Sequence, residues 1–122
     1  MPTRDEHLGQ ARHNAEFYTT INRSRYKDWA ATVLFYTGLH FIDAVLAIKN
    51  IHPGAHPTRD NAVNSVSELK PIFGHYAALK NASFNARYKP PTMFTQGQIT
   101  ELETKHLAAV KAEAARYVPV SW

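Results

Sequence analysis

The stretch from Trp29 to Lys49, WAATVLFYTGLHFIDAVLAIK, leaves the chain little freedom of architecture. At the helical period Trp29, Val33, Tyr36, His40, Ala44 and Ala47 share one face. Leu34, Phe35, Phe41, Ile42, Val45 and Leu46 cover much of the remainder. A helix that is apolar nearly all round has to be buried among other elements. The rest of the chain therefore has to supply its cover. Asp28 is the expected N-cap of this second helix.

The cover is written as further helices. The first is expected over about Asp5 to Asn22, with Leu8, Ala11, Ala15 and Tyr18 at three- and four-residue steps. Thr58 can cap a short third helix carrying Ala62, Val63, Val66 and Leu69, interrupted by Pro71. A fourth turns Ile72, Tyr76, Leu79, Ser83 and Ala86 inward and ends at the break KPPTMF. Thr95 with Gln98 three residues later is a capping-box pattern opening a last helix, with Ile99, Leu102, His106, Val110 and Tyr117 on one side. Nothing alternates as a strand does. The expectation is an all-α protein, an antiparallel up-and-down bundle of four to five helices in one domain over 1–122.

Composition narrows the chemistry. The chain has 122 residues, the size of one domain, and no cysteine, so disulfides and thiolate metal sites are excluded. The polar start MPTRDEHLGQ has no signal-peptide character, and no uninterrupted apolar run approaches a membrane span, so a cytoplasmic location is expected. A net charge of +4 favours polyanions without naming one. Arg23, Arg25 and Lys27 around Tyr26 are the densest basic stretch and read as a solvated loop between helices.

The informative polar residues interrupt the second helix or follow it. His40 and Asp43 are three apart, hence neighbours on a helix, where a carboxylate favours the protonated imidazole. Asp43 on so apolar a helix needs a partner, because an unpaired buried charge is costly. Arg59, in the turn IHPGAHPTRD, is the candidate. Near a helix N-terminus it opposes the macrodipole, so it either pairs with Asp43 or holds a phosphate there. Asp43 lies about 9 Å and His40 about 13 Å along the axis from the helix end, at 1.5 Å per residue. His56 and Arg59 therefore form the expected rim of a site, with His40 and Asp43 as a deeper layer. Ser83 and Arg87 add a hydroxyl and a cation. His52 and His56 lack a third ligand nearby, so no metal and no cofactor are expected, and His106 reads as core.

The segments WAATVLFYTGLHFIDAVLA, HPGAHPTRD and NASFNARY together resemble the HEPN superfamily of small helical nucleotide- and RNA-associated domains. The likeness runs from the second helix through Tyr88. It implies a bundle of four or five helices, frequent homodimers, and roles in RNA cleavage, toxin and antitoxin systems or antiviral defence. Ribonuclease members carry an Arg-x4-6-His motif, and no Arg here has a His at that spacing. No catalytic residue is therefore assigned.

Three readings follow. The first is a binding module for RNA or a nucleotide, using His40, Asp43, His56, Arg59 and Arg87. The second is an atypical metal-independent ribonuclease, with His40 or His56 as acid or base and Arg59 stabilising charge on phosphate. The third is a structural or partner-binding helical dimer in which Asp43 and Arg59 form an internal ion pair. The partners these readings admit are RNA or a nucleotide, a second copy of the chain, or a cognate protein.

Overall fold

A computed structural model describes residues 1–91 and 93–122; Thr92, inside the expected break KPPTMF, lies outside the described residues. The described chain is all helical, with no strand. Its elements are α1 (Arg4–Thr20), α2 (Lys27–Ile48), α3 (His56–Ser65), a 3-10 turn (Lys70–Ile72), α4 (Phe73–Tyr88) and a C-terminal rod. The rod runs through α5 (Gln96–Glu101), a π-helical stretch (Leu102–Leu107) and α6 (Ala108–Ala114).

α2 is the hub: α1, α4 and the rod all pack against it. Phe35, Phe41, Leu34, Ile42, Val45 and Leu46 are buried there, as their placement around a wholly apolar helix requires. By length and composition α2 could cross a membrane, although no uninterrupted apolar run of that length was expected. Within its most apolar window, however, 78 % is buried inside the protein, as in the core helix of a bundle. Gly38 marks a close helix approach, since a Cβ there would stand 3.1 Å from Leu79 Cδ1 and 3.5 Å from Leu107 Cδ1.

The ends of the helices show where local chemistry agrees with the fold and where it does not. Thr95 caps α5 with the expected reciprocal bonds to Gln98, and Thr3 with Glu6 does the same for α1. Asp28 is not the cap of α2. The helix starts one residue earlier, at Lys27, and Asp28 sits in the first turn, where its charge suits the dipole. Thr58 is not the cap of α3 either. Pro57 fits the first turn of a helix, so α3 begins upstream at His56 with Ala55 as cap residue. Trp29, expected on a packed face, is 58 % exposed, on the rim of an open groove with Phe17, Thr20 and Ile21. Trp122 stacks on Phe41 with ring centres 5.2 Å apart, so the C-terminus packs onto the bundle.

The end of α2 sets up the site. Asn50 adopts a left-handed backbone with φ of 57°. Its N–H donates to the Ala47 carbonyl and the Ile51 N–H to the Leu46 carbonyl, both at 3.0 Å. That is a Schellman cap, which satisfies the last carbonyls and reverses the chain. Ile51 then packs on the core, and residues 52–56 come back across α2.

Candidate functional site

The returning loop walls a groove of about 440 Å³, lined by Tyr36, Leu39, His40 and Asp43 of α2, His7 of α1, and His52, His56 and Arg59. Four of the five expected site residues, His40, Asp43, His56 and Arg59, meet there. Arg87 does not line it. Its Nη1 donates to the Tyr36 hydroxyl at 3.0 Å, and Tyr36 is on the groove wall.

Asp43 and Arg59 form a two-point ion pair. Nε donates to Oδ1 at 2.8 Å and Nη2 to Oδ2 at 3.0 Å, and the side chains are only 6 % and 9 % exposed. This parallel fork is the strongest geometry available to an Arg and a carboxylate. Burial opposes the Arg59 charge, but its hydrogen bonds to Asp43 outweigh that and raise its pKa. The remaining nitrogen, Nη1, lies 3.3 Å from His56 Nδ1.

His40 does not meet Arg59. Its Nδ1 faces the Nδ1 of His7 at 3.1 Å, so one ring carries the proton and the other accepts it. The expectation that Asp43 would favour a protonated His40 is corrected. Burial lowers the His40 pKa, His7 lowers it further, and the opposing pull of Asp43, offset in part by Arg59, is too small to reverse them. His7 is likewise shifted down, chiefly by burial. This residue was missed in the sequence. Its one available signal was position, four residues before Ala11 and thus on the edge of the α1 stripe.

His56 is half-buried, with its ring 5.8 Å from that of Phe35. Burial lowers its pKa first, and the charges of Arg59, Lys80 and Arg87 lower it further. The negative charge of Asp60, which accepts from Lys80 and from the Tyr76 hydroxyl at 2.6 Å, offsets these in part. Arg87 has only neutral partners among the described residues: Ser83, Tyr36 and Tyr88. His52 turns Nε2 toward Asn50 at 3.3 Å, while its buried Nδ1 has no hydrogen-bond partner among the described residues.

His52 and His56, which have a chelating spacing but no third ligand nearby in the sequence, are not the grouping with ligand geometry. His7, His40 and Asp43 are, each offering one donor atom within 4.8 Å of the others. His106 is not core. It is half-buried and pairs with His75, Nδ1 to Nδ1 at 3.0 Å, on the far part of the bundle.

Fold and site together define an all-helical protein with a histidine- and arginine-lined groove beside its central helix. Comparison of the chain with protein-family models, curated proteins and solved structures gives no match in any of the three.

Proposed function

We propose that the chain is a HEPN-like module, an antiparallel up-and-down bundle, that binds the phosphates of RNA or a nucleotide in the groove without chemistry of its own. The observation that carries this reading is that Arg59 and His56 line an open cavity side by side, with Arg59 Nη1 3.3 Å from His56 Nδ1, while Lys80 and Arg87 are near enough to act on the charge of His56. α3 adds to it: ten residues long, with no side chain capping its N-terminus, it leaves that dipole end for an anion. Arg59 serves through Nη1, the nitrogen beside His56 that Asp43 does not take, and Asp43 and His40 support the floor. A setting in toxin–antitoxin or defence systems belongs to the same proposal. So does pairing with a second copy, which the exposed side chains of Phe17, Tyr26 and Trp29 would suit.

The test is a titration of labelled single-stranded RNA and of a nucleoside triphosphate in chelator-containing buffer, with each sample then run on a gel. His56→Ala and Arg87→Gln are the informative variants, because Arg59→Ala would strand a buried carboxylate. Expected are intact RNA and an affinity loss of about tenfold in each variant, equivalent to about 1.4 kcal/mol. Unchanged affinity, or no binding by the wild type, would overturn the reading. RNA cleavage would replace it with the metal-independent ribonuclease.

A further inference from the structure

We propose that His7, His40 and Asp43 form a binding site for one divalent transition-metal ion of the zinc class, with an open coordination position toward the groove. The inference goes beyond the phosphate-binding proposal and stands whether or not the groove takes RNA. It also departs from the sequence reading, which expected no metal.

The donors come from two helices that pack directly together. His40 and Asp43 are one turn apart on α2, so both project from the same side, and His7 reaches them from the first turns of α1. Bundle metal sites are built in this way, from an i, i+3 pair on one helix and further ligands on a facing helix. The two Nδ1 atoms are 3.1 Å apart. Two nitrogens at that separation, each about 2.05 Å from a shared ion, subtend roughly 100° there, within reach of a tetrahedral site. The rings lie side by side, with centroids 5.3 Å apart and planes tilted by 33°. A donor atom of Asp43 within 4.8 Å completes a three-ligand set after a side-chain shift of about 1 to 1.5 Å.

The ion pair with Arg59 does not disqualify Asp43. A carboxylate has about four lone-pair positions, and Arg59 takes one on each oxygen. Ligating carboxylates are commonly fixed by such an outer hydrogen bond, and here Arg59 is the positioning residue. The donor set selects the ion. Two imidazoles with one carboxylate suit Zn²⁺, Co²⁺ or Ni²⁺, whereas Mg²⁺ and Ca²⁺ require mostly oxygen. Three protein ligands leave a fourth position, and the cavity beside His40 is large enough for water or another oxygen ligand to occupy it.

The experiment uses the tag-free full chain, stripped with chelator and titrated with Co²⁺ alone while its visible absorption is followed, then with competing Zn²⁺. Expected is one equivalent of Co²⁺ with the strong bands of a four-coordinate site, bleached by Zn²⁺, and a rise in Tm on adding Zn²⁺. His7→Ala and His40→Ala should each weaken binding by about tenfold or more, and the double variant should abolish it. His106→Ala, in the other histidine pair, should bind as the wild type does. Should the variants unfold, ring ¹⁵N shifts of the wild-type histidines on adding Zn²⁺ decide the matter: His7 and His40 must move while His75 and His106 do not. Absence of bands, bands that persist in the double variant, or loss of binding in His106→Ala would overturn the proposal. Because no RNA is present here, and no free metal in the RNA titration, failure of one proposal is distinguishable from failure of the other.

Discussion

Arg59 grips Asp43 through two parallel hydrogen bonds of 2.8 and 3.0 Å inside the bundle, sixteen residues away along the chain. Both side chains are nearly removed from water. A pair in that setting is costly to break and inexpensive to replace as a unit. Asp43→Asn should lower stability by about 3 to 5 kcal/mol, since it leaves Arg59 charged and uncompensated. The double variant Asp43→Leu, Arg59→Leu should recover most of that loss. Urea unfolding of the three proteins checks this, and a double variant as unstable as the single one would show that the pair is worth more than its apolar replacement.

Four histidines, His7, His40, His56 and His106, are held below their ordinary pKa of 6.5, in each case first by burial. The unfolded chain therefore takes up protons near pH 6.5 that the folded chain resists. The stability that depends on keeping these rings neutral is complete above the unfolded value and is lost as pH falls from about 6.5 toward the folded values. Tm in metal-free buffer should be flat above about pH 7 and decline steadily below 6.5, with a shallower decline in His40→Gln. Asp60 adds a separate loss at lower pH. Burial works against its charge, but hydrogen bonds from Lys80 and Tyr76 hold its pKa below 3.8, so its contribution disappears only as the carboxylate is protonated. A Tm profile that rises between pH 7 and 5 would contradict the assignment.

The Schellman cap predicts opposite outcomes at one position. A non-glycine residue in the left-handed region costs about 1 to 2 kcal/mol, a cost that Asn bears better than most and Gly avoids. Asn50→Gly should raise Tm or leave it unchanged despite losing the contact to His52, while Asn50→Val should lower stability by about 1 kcal/mol or more. Because this turn aims the histidine loop at α2, Asn50→Val should also weaken ligand binding in the groove. Thermal melts and the RNA titration read the two effects separately.

The parts of this architecture that could be read in the sequence are those set by local chemistry or by one strong demand. An apolar helix must be buried, and α2 is. A Thr three residues before a Gln makes a capping box, and α5 has one. Asp43 on such a helix needed a cation, and Arg59 was the nearby cation without another explanation. What escaped depends on contacts remote in sequence. His7 and His40 are 33 residues apart, and nothing in the α1 pattern distinguishes His7 from a polar residue beside an apolar stripe. His75 and His106 meet across 31 residues in the same way. The start of α3 was misplaced because Thr58 is a good cap in isolation, whereas Pro57 pre-forms the turn ahead of it. Trp29 shares a face with buried residues and is nonetheless exposed, because periodicity gives the direction of a side chain and says nothing of how closely the neighbouring helices cover it.

Tyr36 joins two regions that the sequence keeps apart. Its ring is on the groove wall, and its hydroxyl accepts from Arg87 Nη1 at 3.0 Å, with the guanidinium 5.5 Å from the ring centre. Arg87 is also tied to Ser83 through Nε at 3.1 Å, so it has one anchor on its own helix and one on α2. If Arg87 serves the groove, it does so because Tyr36 holds it against that wall. Tyr36→Phe removes only the hydroxyl and keeps the ring. It should leave Tm within about 2 °C of wild type and reduce RNA affinity by roughly three- to tenfold, the range of one hydrogen bond at about 0.5 to 1.5 kcal/mol. Arg87→Gln in the Tyr36→Phe background should then add less than it does alone, because both substitutions act on one contact. Fully additive losses in the two titrations would show that Arg87 acts on the ligand independently of Tyr36.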